Sequence, residues 1–399
     1  MRGNRAVVAV GGLVLAGGLA VAGLASRPDR AVEPERTESE TPIADEPSAT
    51  AEEATTAERA EPSPIVDPSE FTQVLPPDAI PAIDEPVFAH VEATTELALQ
   101  EPVLAIARGG GAKAYPLRIM MWHEVVNDEI GGVPVAVTYC PLCNTGIAFR
   151  RPVVDGELLD FGTSGSLYHS NLVMYDRQTE SYWPQATGQA VAGPLTGTRL
   201  EFLPIQIVAF ADFAAAHPDG LVLTEDTGFA RSYGTNPYVN YDGGAGPTFD
   251  NGKVDPRLPA RERVLGVAVG DERLAFPYSE LQDRAVGDWS AVEERIGGEP
   301  VVVLWKQGTV SALDAPLIAD SRAVGAVGAF SPEVEDRKLT LEARADGVFD
   351  VQTGSRWDVL GRAVEGPLAG AELARVIATD SYWFDWAAFF PSTGVFGLK

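Results

Sequence analysis

One pattern in this chain is written twice. Asp176-Arg-Gln-Thr179 followed by Ser181-Tyr-Trp183 returns as Asp350-Val-Gln-Thr353 followed by Ser355-Arg-Trp357. Gly193-Pro-Leu-Thr-Gly197 returns as Gly366-Pro-Leu-Ala-Gly370, and Asp212-Phe-Ala-Ala with Pro218 as Asp385-Trp-Ala-Ala with Pro391. Upstream, Ile130-Gly-Gly-Val-Pro-Val135 matches Ile296-Gly-Gly-Glu-Pro-Val301, and Tyr115-Pro116 matches Phe276-Pro277. The order is kept and the spacing drifts slightly, as short loop insertions after a duplication produce. Whatever one unit folds into, the other must fold into as well. The expectation is an internal duplication of a strand-rich unit, packed as a pseudo-two-fold pair, with Trp183 and Trp357 buried at equivalent places.

Each unit reads as strands with short helices. Val133-Pro-Val-Ala-Val-Thr-Tyr139 and Val301-Val-Val-Leu-Trp305 are β-branched runs of strand length, and Glu157 to Phe161 and Asn171 to Tyr175 are further candidates. Leu117 to Asn127 has apolar residues at helical spacing, and Phe210 to Ala216 predicts a short helix stopped near Pro218. The class is α+β with β dominant. The first unit covers residues 85–225 and the second, degenerate one 262–399. Residues 226–261 between them are rich in Gly, Pro and Tyr without periodicity, a composition found where a segment is functional or packs across an interface.

Ahead of the units, Arg2 and Arg5 precede an uncharged Gly/Ala/Val/Leu run from Ala6 to Ala25. The run is long enough to span a bilayer, and small residues near Ala22 and Ala25 suit cleavage, so residues 1–25 read as a membrane anchor or a signal peptide. The expectation is an exported protein, anchored facing away from the cytoplasm or secreted. Residues 26–84 read as a disordered acidic tether: from Ala31 to Glu70 there are twelve Asp or Glu against two Arg. Such a segment should be removable without loss of stability. The whole chain carries a formal charge of −27 with five Lys, which argues against nucleic acid as a partner because a phosphate backbone needs a basic footprint.

The strongest local signal is Thr138-Tyr-Cys140-Pro-Leu-Cys143-Asn-Thr-Gly146, which holds both cysteines of the chain. Three readings stand. One is a structural disulfide, natural in an oxidising compartment, although so small a loop is worth only about 2 kcal/mol against about 4.7 for a hundred-residue loop. The second is a redox dithiol, in which one thiolate attacks and the other resolves the mixed disulfide. The third is a copper or zinc site using Cys140 and Cys143 with His123 or His169. Where the first unit has Tyr139-Cys140-Pro-Leu-Cys143, the second has Trp305-Lys306-Gln-Gly-Thr309, and no histidine matches His123. A staple would be expected in both units; chemistry needs only one.

His123, in Trp122-His-Glu-Val-Val-Asn-Asp128, is the candidate group for lowering a thiol pKa. His169 follows the Gly-rich run Gly162-Thr-Ser-Gly-Ser-Leu-Tyr168, while His217 and His90 read as structural. Met174 reads as core, and Glu124 with Asp128 as capping or solvated acids. No nucleotide-binding Gly-rich loop, Gly-x-Ser-x-Gly elbow or His-Glu-x-x-His motif is present, so hydrolase and nucleotide-enzyme readings lack residues.

Taken together, Tyr115-Pro116, Trp122 to Asp128, Thr138 to Cys143, Gly162-Thr-Ser-Gly165, Leu172 to Thr179 and Ser181-Tyr-Trp183 resemble the domain-of-unknown-function family 3179, over about residues 85–398. The family is one of exported microbial proteins, and its members are often labelled selenoproteins. The resemblance therefore implies that selenocysteine can stand at a position matching Cys140 or Cys143, which suits a redox nucleophile better than a passive staple. The resulting expectation is an extracytoplasmic thiol-dependent redox protein, a candidate thiol–disulfide oxidoreductase, with Cys140, Cys143 and His123 as site residues and no required cofactor. Its substrate would be a small-molecule or protein thiol or disulfide. The alternatives are metal binding through the same residues and a non-catalytic binding scaffold.

Overall fold

The computed structural model describes residues 62–244, 246–247 and 254–398. The apolar run at Ala6–Ala25 and the first part of the acidic segment lie outside them. The chain is β-dominant, with several small sheets, mostly antiparallel, and four short helices among the described residues. In the first half, the strand Val133–Cys140 pairs antiparallel with Val125–Ile130 on one side and Thr145–Arg150 on the other. In the second half, Glu299–Lys306 pairs in the same way with Trp289–Ile296 and Ala326–Phe330. Gly131-Gly132 and Gly297-Gly298, all at positive φ, turn the first hairpin of each of these two sheets, as a tight turn between right-twisted strands requires.

A second sheet in each half carries the helices. Pro102–Arg108 and Gly111–Pro116 form a hairpin flanked by Gln206–Ala209 and, in parallel, by Leu221–Leu223. Arg263–Val269 and Glu272–Pro277 form another, flanked by Ala378–Tyr382 and, in parallel, by Gly394–Val395. Helices α1 (Leu117–His123), α2 (Phe210–Ala216), α3 (Tyr278–Asp283) and α4 (Trp383–Phe389) each follow one of these strands directly.

The recurring Asp, Thr, Ser and Trp residues explain their own recurrence. Trp183 and Trp357 are both fully buried, and their indole nitrogens donate to Asp176 and Asp350 at 2.9 and 3.1 Å. Each aspartate also accepts from the backbone and hydroxyl of Thr179 or Thr353, and Ser181 or Ser355 accepts from the backbone of Leu195 or Leu368 at 2.9 Å. A buried indole N–H needs a partner, and the tight Asp turn supplies one in each half.

Two expectations need correction. The helix predicted over Leu117 to Asn127 stops at His123, because Glu124 takes φ +59 and the β-branched Val125-Val126 enter the strand beside Val133–Cys140. The tether predicted as far as residue 84 is ordered over its last part. Thr72–Gln73 pairs with the strand Phe161–Tyr168, Val74 and Leu75 donate to the Gly165 carbonyl at 2.9 and 3.0 Å, and Ile83 is buried. This strap gains its order from the sheets it crosses, not from its own composition.

Gly165 makes the crossing possible. It sits at φ +72, and a Cβ there would lie 2.0 Å from the Leu75 carbonyl oxygen. Gly165→Val should therefore displace the strap and destabilise the protein by about 2 kcal/mol or more. Urea denaturation measures this, with proteolysis between residues 62 and 84 as a second readout. A change below about 0.5 kcal/mol, within the range of an ordinary surface substitution, would mean that the strap does not depend on this contact.

Candidate functional site

The strand Val133–Cys140 ends on Cys140. Pro141 then opens a turn closed by a bond from the Asn144 amide to the Pro141 carbonyl at 3.3 Å, with Asn144 at φ +53. This turn returns Cys143 beside Cys140, and the two are joined as a disulfide. Cys140 is 2% exposed and Cys143 0%. Their apolar surroundings include Ile147, Phe161, Leu172, Met174 and Trp183.

On the polar side, Cys143 Sγ lies 3.4 Å from the Ser170 carbonyl oxygen and 3.4 Å from Asn171 Nδ2. Both come from the hairpin joining Phe161–Tyr168 to Asn171–Asp176. Its two turn residues, His169 and Ser170, stand at φ +51 and +69. Such a turn favours Asn or Gly, and two other side chains there hold the hairpin tip in a strained state.

The second half closes the site. The Tyr382 amide donates to the Cys143 carbonyl at 2.8 Å. Asp385, in the first turn of α4, is fully buried and accepts from Ser381 Oγ (2.7 Å), Asn171 Nδ2 (3.0 Å) and Thr145 Oγ1 (3.1 Å). Burial drives its pKa up to about 6, against the lowering effect of these three bonds. The connecting segment also reaches the turn, since Tyr241 donates to the Leu142 carbonyl at 3.0 Å.

His123 is engaged elsewhere. Its ring nitrogens contact the Pro81 carbonyl at 2.8 Å and the Tyr233 hydroxyl at 2.7 Å, and burial lowers its pKa. A neutral imidazole so occupied offers a thiolate no positive charge. His169 packs between Tyr168 and Phe389, with ring centroids 4.2 and 5.6 Å away. Asp128 binds Lys113 and Tyr115, and Glu124 is buried with its pKa driven up to about 8. Among the described residues no group of three or more His, Cys, Asp or Glu is arranged to hold a metal ion.

Asp385 and Asn171 were not read from the sequence as site residues. The available signal was the recurrence of Asp212 as Asp385, which marked both as part of the shared pattern. At the equivalent strand end of the second half, Lys306 forms an ion pair with Asp212 of α2.

These features define a class: a β-dominant protein with a buried Cys-x-x-Cys disulfide seated against a buried carboxyl from the other half of the chain. The profile described as "Protein of unknown function (DUF3179)" matches residues 77–393, and the chain belongs to that family. No curated protein and no solved structure matches it.

Proposed function

We propose that this protein is an extracytoplasmic thiol–disulfide redox protein, with Cys140 and Cys143 exchanging electrons with a thiol or disulfide substrate. The observation that carries this reading is the pair of partners around Cys143 Sγ. A disulfide sulfur has no proton to donate, so a structural staple has no use for an acceptor facing it. A thiol would donate to the Ser170 carbonyl, and a thiolate would accept from Asn171 Nδ2. Both reduced forms thus have a partner in place. The small worth of the closed loop, about 2 kcal/mol, leaves little structural reason for the bond.

Both sulfurs are buried, so exchange requires an opening. The strained His169-Ser170 hairpin tip is the element placed to move, since shifting it opens the turn that holds both sulfurs without breaking the strand that carries Cys140. Export rests on the Arg-flanked apolar run Ala6–Ala25 and on an oxidised cysteine pair, which suits a compartment outside the cytoplasm. No helix among the described residues is long and apolar enough to cross a membrane.

We further read the two halves as an internal duplication about a pseudo-two-fold axis. The matching strand pairings support this, as do the matching Asp–Trp turns. So does the reciprocity of the inter-half contacts: α4 meets Thr145 and Asn171 beside the cysteine turn of the first half, and α2 meets Lys306 of the second.

The test is alkylation of the native protein before and after treatment with dithiothreitol, with a thermal melt of each sample. The expected result is no alkylation before and two labelled cysteines after, with the melting temperature lowered by only a few degrees, as a bond worth about 2 kcal/mol implies. Cysteines that become reducible only in denaturant would return the bond to the role of a staple.

A further inference from the structure

We propose that Asp385 is the proton donor and acceptor for Cys143, so that the second half of the chain supplies the acid–base group for cysteines carried by the first. The inference rests on the redox reading above. It is carried by a contrast within the molecule. Each half sends an aspartate from its last helix to the strand end of the other half. Asp212 meets Lys306 there and forms an ion pair. Asp385 meets the cysteine turn, and among the described residues it has no ion pair; all three of its hydrogen-bond partners are neutral.

A buried carboxyl without a cation keeps its proton to a higher pH than an exposed one, which below its raised pKa leaves it a proton to give. Asn171 Nδ2 bonds both Cys143 Sγ and Asp385 Oδ1, at 3.4 and 3.0 Å, so a single amide nitrogen separates sulfur and carboxyl. The other titratable groups on the packed elements are turned elsewhere or lie further off. Asp380 accepts from Tyr278, and His169 stacks on Phe389 beyond Asp385 along α4. Glu124 is the nearer acid: its backbone carbonyl accepts from the Tyr139 amide beside Cys140, but its carboxyl interacts with Tyr238 and its pKa of about 8 would put a bend there, not near 6.

A thiolate of an external dithiol attacks Cys140 Sγ, so that Cys143, the sulfur with hydrogen-bond partners in place, is the leaving group; a mixed disulfide forms as the Cys140–Cys143 bond breaks. Cys143 Sγ leaves with the electron pair, held first as a thiolate by Asn171 Nδ2; a water admitted with the reductant carries the proton of Asp385 to it, and the thiol then donates to the Ser170 carbonyl. The second thiol of the reductant then displaces Cys140 and leaves as part of a cyclic disulfide. Its proton replaces the one taken from Asp385 or joins Cys140, the remaining one coming from solvent. Two electrons and two protons are transferred in all.

The test uses the full chain and dithiothreitol, with reduction rates from pH 5 to 8 divided by the reductant's thiolate concentration. Asp385 is protonated below its elevated pKa, so the normalised wild-type rate should fall about tenfold as pH rises, with a midpoint near 6. Asp385→Asn should flatten the profile, Asp385→Glu should restore the bend, and Asp212→Asn should behave as wild type. A wild-type profile without a bend, or a bend unchanged in Asp385→Asn, overturns the inference while leaving the redox reading intact. Should Asp385→Asn not fold, the redox-difference infrared spectrum of the wild type decides. A carboxyl band that changes on reduction supports the assignment, and its absence rejects it. A disulfide that resists dithiothreitol in the native protein removes both proposals.

Discussion

Removing residues 1–85 should cost the protein most of its stability, whereas removing residues 1–61 should leave the contacts of the strap in place. Residues 62–84 carry an acidic, proline-rich composition, yet they complete the first half. Ile83 is 2% exposed, and its backbone bonds Val125 and Asn127 at 2.9 and 2.8 Å. Thr163 Oγ1 donates to the Ile80 carbonyl at 2.7 Å, and the His123 ring contacts the Pro81 carbonyl. Truncation returns one large apolar side chain to water, worth about 1.5–3 kcal/mol. It also strips partners from several buried polar groups, at about 1–3 kcal/mol each. The sum exceeds about 5 kcal/mol, comparable to the whole net stability of an ordinary domain. A protein starting at Pro86 is therefore expected to be insoluble, or to melt at least about 10 °C below one starting at Pro62. Equal melting temperatures for the two would defeat this account.

Asp242→Ala should produce the second large effect. This aspartate comes from the connecting segment and lies inside the second half, where Arg263 Nη2 bonds both of its oxygens at 2.9 and 3.1 Å. Arg322 adds a bond at 3.1 Å, and the Tyr382 hydroxyl bonds it as well. Burial alone would raise the Asp242 pKa, but Arg263, Ser311, Tyr382 and Arg322 outweigh it and hold the carboxyl at about 2. Removing the carboxylate leaves a buried guanidinium uncompensated, at about 3–5 kcal/mol. Because Tyr382 also donates its amide to Cys143, the loss should loosen the cysteine turn and speed its reduction. Urea denaturation and dithiothreitol kinetics measure the two effects; a stability change under about 1 kcal/mol would contradict the structural role.

The sign of the pH dependence follows from the same cluster. The folded pKa of Asp242 lies below the unfolded value, so its contribution is present above about pH 4 and lost as pH falls through about 2. Asp242→Asn should abolish that part of the acid transition. Glu124 acts in the opposite direction. Its folded pKa of about 8 lies above the unfolded value, so its burial weakens the fold progressively as pH rises from about 4.5 to about 8.

Local order was legible in the chain itself. The β-branched run at Val133 became the strand Val133–Cys140, the Phe210–Ala216 helix formed as read, and the Asp–Thr–Ser–Trp pattern marked two buried turns. These features depend on residues a few positions apart, whose preferences act before any distant contact forms. The spacing of Cys140 and Cys143 likewise placed them within reach of each other without help from the rest of the fold.

Tertiary structure alone decided what surrounds those cysteines. His123 is close to the cysteine strand along the chain, but the strand Val125–Ile130 intervenes and its ring is held by Pro81 and Tyr233. Asp385 lies more than two hundred residues from Asn171, yet the two are bonded, and Asn171 is shared with Cys143. The strap's composition argued for disorder, and sheets formed later in the chain ordered it. In each case the deciding energy is burial or hydrogen bonding against a distant partner, and neither periodicity nor propensity along the chain carries information about which partner that will be.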